Sequence, residues 1–363
     1  MTGWSRRRPG IEHLNKGMNM KKRILRTRKL LACVLPVLAA ATMLNAPARA
    51  AEPTPVNIGY YSGAMFNALF LVADTKGFYK SSGLKPTFIA VANGPLMNSN
   101  LASGAIDFGN QPPSNVGLAL DQGLDQVIIA GNITMPWVLV TRPEMKPPAG
   151  RKYPELISDL KGLNWGVYGR GSDSELFMRA MARDAKLDAD KDVTWIPVGG
   201  PPTGLPALKA KRIDVYLTLD PAPLVVSAGG MGQTVVDLRK GEGPANFKGI
   251  MYQGVVTLRR TANEKPHLVA ALVEAHTKAY CWINDKKNLG ELTAIMKANL
   301  SAGDLTEAQF RQMVEDNIVS FTLKYPAKDL EVWNEMLLRS KMLKAPLTQN
   351  ILWKTVPQTD PTC

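Results

Sequence analysis

From Val56 onward, short runs rich in β-branched and aromatic residues alternate with longer amphipathic segments, and this rhythm constrains the fold more than any other feature of the chain. It fits sheets of parallel strands joined by crossover helices. VNIGYY is followed by MFNALFLVADTKGFY, in which Phe66, Leu69, Phe70 and Ala73 recur at i, i+3, i+4 and i+7, the spacing of one helix face. LKPTFIAV, PLMNSNLASG, AIDFGN, SNVGLALDQG and DQVIIAG continue the series. The Pro-, Lys- and Gly-rich stretch TRPEMKPPAGRKYP breaks it, as a domain boundary would. A second, shorter series follows in LNWGVYG, SDSELFMRAMARDA, VTWIPV, GLPALKAKR, IDVYLTL and QTVVDL. Beyond KGIMYQGVVTLRR the chain turns mostly helical, with Leu268, Ala271, Leu272, Ala275, Ala279 and Trp282 on one stripe. The expected fold class is therefore α/β: two lobes, each a mainly parallel sheet flanked by helices, with a helical C-terminal tail. A length of 363 residues accommodates two domains of roughly 150 residues each.

The net charge of +13 suggests a nucleic-acid partner until its distribution is considered. Met1–Ala50 holds eleven basic residues against the single acid Glu12, which leaves only +3 on the remainder. Within that segment MKKRILRTRK runs into LLACVLPVLAAATML and then Ala48-Arg49-Ala50, the charged, apolar and small-residue order of a secretory signal peptide. The apolar run is interrupted by Pro36 and is shorter than the roughly 20 residues a membrane-spanning helix needs. Residues 1–50 are expected to be removed after Ala50, and Met18 or Met20 would give a signal of ordinary length. The mature chain is expected in the periplasm, with no nucleic-acid partner.

Catalytic and metal-binding signatures are scarce. GxSxG, HExxH, Walker A and GxGxxG arrangements are absent. Ser82-Gly83-Leu84-Lys85 matches SxxK but precedes a strand and has no KTG after it. His267 and His276 stand nine residues apart on one helical pattern, about 180° from each other on the wheel, and cannot share a metal. No metal, no cofactor and no enzyme activity are expected. Export leaves Cys281 and Cys363 where a disulfide is permitted. Since one lies in a helical pattern and the other at the end of the chain, two unpaired thiols are the leading expectation, with a bridge left open.

Open parallel sheets bind ligands beyond the carboxyl ends of their strands, so the informative residues stand just after strands. GYYSGAMF places Ser62 and Gly63 between a strand and a helix that Phe66 opens. FGNQPPSN offers the Gln111 amide, a turn stiffened by Pro112 and Pro113, and Ser114 at a helix start. Asn132 follows the strand DQVIIAG. In YGRGSDSE, Gly169 and Gly171 permit close backbone approach, while Ser172 and Asp173 begin a helix whose free N–H groups suit an anion. LTLDPAP puts Asp220 and Pro221 after another strand. Ser, Asp and Pro at helix starts also serve simply as caps. Trp137, Trp165 and Tyr168 read as core or cleft wall.

Together with the export signal, the stretches VNIGYYSGAMFNALFLVADTKGFY, LASGAIDFGNQPPSN, DLKGLNWGVYGRGSDSELFMRAM and KAKRIDVYLTLDPAP resemble the periplasmic substrate-binding proteins of the nitrate, sulfonate and taurine class of ABC importers. The resemblance implies the two-lobed type II periplasmic-binding-protein fold, with residues 52–138 and 255–363 in the first lobe and 139–254 in the second. It implies a small ligand enclosed between the lobes, with contacts at Ser62 and Gly63, Gln111 through Ser114, Gly171 through Asp173, and Asp220 with Pro221. Helix starts and Arg170 favour a small anion such as a sulfonate, a taurine-like acid, nitrate or a carboxylate, and Asp220 permits an additional amine or hydroxyl. Leu219 and Asp220 stand where relatives often carry an aromatic residue and Glu, which leaves the ligand open. The implied partner is an ABC permease in the inner membrane, and the implied state a monomer. Two other readings share the fold: the pyrimidine-forming thiamin-precursor synthase, whose cysteine-rich motif is missing here, and a soluble sensor domain.

Overall fold

A computed structural model describes residues 52–145, 150–301 and 303–363; the expected signal peptide, residues 1–50, lies outside the described residues. Glu52–Cys363 packs as one compact unit. The first alternating series supplies β1 (Thr54–Tyr60), β2 (Leu84–Ala90), β3 (Gly109–Gln111) and β4 (Gln126–Thr134). Next come β5 (Val138–Thr141), β6 (Asn164–Val167), β7 (Thr194–Pro197), β8 (Val215–Thr218), β9 (Gln233–Asp237) and β10 (Met251–Leu258).

β1 and β2 pair in parallel, while β10 lies antiparallel between β3 and β4. A parallel bridge between Ile58 and Phe108, with Gly59 N–H donating to the Phe108 carbonyl at 2.8 Å, joins the two groups into the order β2-β1-β3-β10-β4. The other sheet runs β7-β6-β8-β5-β9. The two orders correspond strand for strand. In each, the fourth place goes to a strand antiparallel to both neighbours, β10 in the first sheet and β5 in the second. The parallel ladders that the alternation predicts are present in β1–β2, β6–β7 and β6–β8, and the two reversed strands make both sheets mixed. β5 was not expected as a strand. Its four residues are all buried, so no period-two pattern marks them in the sequence.

β4 ends in the first sheet at Thr134 and β5 begins the second at Val138, while the return passes through Phe247–Met251 into β10. The C-terminal helices brace both passages. Asp329 accepts the Met251 N–H and Trp333 Nε1–H donates to the Met251 carbonyl, each at 2.9 Å. Trp333 also packs edge-on against Phe177 of the helix Asp173–Asp184, 5.6 Å between centroids. At Gly131 the tail lies directly over β4: the Gly131 N–H donates to the Leu323 carbonyl at 2.7 Å, and a Cβ there would sit 2.3 Å from the Lys324 carbonyl oxygen.

The helix Pro266–Asn284 covers the first sheet with Leu268, Leu272, Ala275 and Ala279 of the predicted stripe buried, while its other members, Ala271 and Trp282, are half-buried. His276 is buried on it, hydrogen-bonded to Tyr79 Oη at 2.8 Å and edge-on to Phe70. Desolvation holds its pKa down at about 3, so the ring is neutral. Cys281 on this helix and Cys363 form a disulfide, Cα to Cα 5.3 Å. This corrects the expectation of unpaired thiols: the tail folds back along the helix and returns its last cysteine to it, a proximity that separation in sequence conceals. Closing an 82-residue interval restricts the unfolded chain, and Cys281→Ser is expected to lower unfolding free energy by about 2–4 kcal/mol under non-reducing conditions. An unchanged urea midpoint would show that the bridge contributes nothing.

Candidate ligand site between the two sheets

Two helix starts face the space between the sheets. The helix Pro113–Asp121 follows β3, with Pro in its first turn, and the helix Asp173–Asp184 follows β6; neither is capped by a hydrogen bond from its N-cap side chain. Ser114 from the first and Asp173 from the second come together, joined by Tyr252 of β10. Burial pushes the Asp173 carboxyl up to about 6, and the Ser114 and Tyr252 hydroxyls pull it part of the way back. The same carboxylate, after burial itself, raises the pKa of Tyr61 and Tyr252. Asp173 takes part in no ion pair among the described residues.

Aromatic rings form the walls. Trp137, in the passage between β4 and β5, meets Tyr168 at 5.1 Å and 72° and Tyr252 at 5.7 Å and 87°. Tyr61 stands edge-on to Phe66 at 6.0 Å. Tyr168 Oη lies 3.3 Å from Thr218 Oγ1 and its backbone N–H donates to Ser174 Oγ at 2.9 Å, which fixes the ring at the end of β6. Ser114 is fully buried and Trp137 is 2% exposed. Trp137 Nε1 and Tyr61 Oη are buried without a well-formed hydrogen bond in the protein, and Ser114 Oγ, equally buried, has only its weak approach to the Asp173 carboxylate. Buried polar atoms are rarely left in that state; Ser114 and Tyr61 interact with the Asp173 carboxylate and Trp137 packs on Tyr252 beside it, a grouping suited to a polar molecule.

The expected site residues divide into those at this centre and those beside it. Ser114 and Asp173 meet at it, with Phe66 behind Tyr61. Asn132 donates to the Phe66 carbonyl at 2.9 Å and so positions the loop. Ser62 and Gly63 are exposed at the tip of that loop, where Gly63 adopts φ +73°. Pro113 is buried in the helix start. Gln111 turns beneath the helix into a buried amide cluster, donating to Asn98 Oδ1 at 2.6 Å and Gln126 Oε1 at 3.0 Å. Gly171 donates its N–H to Glu175 at 2.8 Å. Ser172 Oγ pairs with Ser174 Oγ, also at 2.8 Å. Gly171 and Ser172 both line an outer groove of about 590 Å³ with Arg179 and Arg339.

Asp220 is buried, bonded to Arg239 and to Asn317 at 2.7 Å, and Pro221 is buried beside it. Arg170 pairs outward with Glu175 at 3.1 Å and lies over Trp195. Trp165 is core, its Nε1–H donated to the Leu160 carbonyl. Tyr61 and Tyr252 were missing from the sequence reading. Tyr61 follows β1 in GYYSG, the post-strand position used to find Ser62, whereas Tyr252 lies inside a strand, where that rule does not look.

A family model described as the NMT1-like family matches residues 49–297. The chain belongs to this family. Among solved structures, the aliphatic sulphonate binding protein of Escherichia coli superposes with a TM-score of 0.67 at 14% identity, covering 86% of this chain and 96% of that one. The alkanesulfonate-binding protein of Xanthomonas axonopodis bound to MOPS gives 0.66 at 16%, covering 84% and 99%. The nitrate-binding protein of Synechocystis gives 0.64 at 16%, covering 83% and 84%. These likenesses establish the periplasmic-binding-protein fold for this NMT1-like chain. A UPF0065 protein of Bordetella pertussis is 37% identical over 98 residues, 26% of this chain and 29% of that one. A Brucella abortus relative is 25% identical over 195 residues, 54% of each chain. The chain thus spans about half or less of the length of these curated relatives.

The Asp173 shift makes stability depend on pH. A folded-state pKa near 6, above the usual 3.8, means that the folded protein holds this proton more tightly than the unfolded chain. Ionisation therefore costs stability as pH rises from about 4 through 6, and the cost is constant above that. Asp173→Asn removes it. The variant is expected to be more stable than the parent by up to about 2 kcal/mol at pH 7.5, allowing for screening at the accessible part of the side chain, with the gap closing by pH 4. Urea unfolding at the two pH values checks this; a gap independent of pH would refute it.

Proposed function

We propose that this protein is an exported solute receptor: it encloses one small polar ligand between its two lobes and presents the closed form to an ABC permease in the inner membrane, acting as a carrier and not as a catalyst. The observation that carries this reading is the meeting of Ser114 and Asp173, from helix starts of opposite sheets, amid buried polar atoms that have no well-formed hydrogen bond in the protein. A ligand there would touch both lobes and so favour their closure. Motion is assigned to the two passages, at 134–138 and 247–251, which the chain crosses between sheets. The family match and the fold shared with sulfonate- and nitrate-binding proteins support the transport role. The order of charged, apolar and small residues in 1–50 supports delivery to the periplasm.

For the ligand, the helix starts at Pro113 and Asp173, uncapped by side chains, offer N–H groups to an anionic group such as a sulfonate or carboxylate. Native mass spectrometry of protein purified from the periplasm is expected to reveal one retained small molecule. Ser114→Ala and Trp137→Phe are each expected to weaken its binding about tenfold in calorimetry, the effect of losing one buried hydrogen bond of about 1–1.5 kcal/mol. Full affinity in both variants would place the site elsewhere. The receptor reading fails if no molecule is retained and sulfonates, carboxylates and nitrate all leave the calorimetric baseline flat.

A further inference from the structure

The charges around the site do not balance. Asp173 brings a carboxylate to the centre, and no basic side chain among the described residues contributes to its pKa. The arginines near the site loops are engaged elsewhere: Arg142 with Asp214, Arg179 with Glu175 and Asp190, and Arg259 with Asp125. Arg170 pairs with Glu175 and stacks over Trp195 on the outer side. Arg239 pairs with Asp220 and Asp237. A purely anionic ligand would have to lie beside an uncompensated carboxylate in a place of low dielectric, where like charges repel strongly.

The walls point the same way. Trp137, Tyr168 and Tyr252 meet at steep angles, 72° and 87°, and form a corner; Tyr168 and Tyr252 stack one face on Tyr216 and Trp333, so each has one electron-rich face left to offer. Such faces attract a cation, most of all one whose charge is spread over an alkylated nitrogen. Ser114 Oγ is fully buried with its hydroxyl toward the Asp173 carboxylate, which leaves its lone pairs to accept a hydrogen bond from an N–H group.

We propose that the ligand carries a protonated or quaternary nitrogen, seated against the Asp173 carboxylate in the corner formed by Trp137, Tyr168 and Tyr252. This inference rests on the receptor reading and narrows it: an anionic group, if the ligand has one, lies toward the helix N–H groups, and nitrate or a simple alkanesulfonate alone is a poor occupant.

The test compares molecules that differ only in the nitrogen. Choline and its neutral isostere 3,3-dimethylbutan-1-ol are titrated into the full mature protein, with propane-1-sulfonate as the anion without a cationic group, and tryptophan fluorescence and calorimetry follow binding. Choline is expected to bind at least tenfold more tightly than either other compound. Asp173→Asn is expected to remove that preference, while the variant's urea midpoint reports that it remains folded. A second variant, Tyr252→Ala, is expected to weaken choline at least fivefold more than the alcohol. Equal binding of choline and the alcohol, no response to choline up to 50 mM, or a choline preference that survives Asp173→Asn overturns the inference. Tight binding of propane-1-sulfonate unaffected by Asp173→Asn also overturns it and leaves the receptor reading standing; that reading is judged separately by whether the purified protein retains a small molecule of any charge.

Discussion

Two strands that run against their sheets hold this molecule together. β5 and β10 are each the entry of the chain into a sheet, and each is inserted between two partners instead of added at an edge. An inserted strand hydrogen-bonds on both sides, so the chain cannot leave either sheet without breaking two ladders. The connections between the sheets are short, and the C-terminal helices pack over them through Trp333, Asp329 and the main chain of Met251. The position of Trp137, on one connection, and of Tyr252, in β10 just past the other, follows from this weave. Residues that must respond to both halves lie where the chain passes from one half to the other.

The electrostatics of the centre follow from the same placement. A carboxylate at a helix start normally benefits from the helix dipole, yet burial outweighs that benefit at Asp173 and raises its pKa. A nearby lysine or arginine would remedy this but is not used: the basic residues closest in sequence, Arg170 and Arg179, are tied to Glu175 and Asp190. An arrangement that leaves one acid uncompensated among aromatic faces costs stability and is well suited to recognition.

Much of the fold was legible because alternation and helical spacing are local. Four of the six stripe residues, Leu268, Leu272, Ala275 and Ala279, are buried, with Ala271 and Trp282 half-buried at its edge, and parallel ladders are present in both alternating series. What was not legible depends on contacts between distant segments. β5 is buried on all sides and so has no alternating signature; the Cys281–Cys363 bridge requires the tail to return over the first sheet. At the site, looking just past strand ends found Ser114 and Asp173 but passed over Tyr252, which belongs to the site only because β10 is inserted between β3 and β4. Gln111 illustrates the opposite difficulty. Its amide stands at a strand end as a ligand contact would, but its N–H donors are taken by two other buried amides, Asn98 and Gln126.

The Asp220 cluster bears on how readily the halves can part. Its one cation, Arg239, is shared by Asp220 and Asp237 within the same sheet region; from the tail Asn317 bonds Asp220 and Asp316 attracts Arg239. If the tail moves with the first sheet, separation exchanges one amide hydrogen bond for water and leaves the ion pairs whole. The energetic toll of that exchange is small, but Arg183 and Arg239 are also attracted to Glu335 and Asp316 of the tail, so dissolved salt, by screening these partly exposed charges, should ease the widening of the gap.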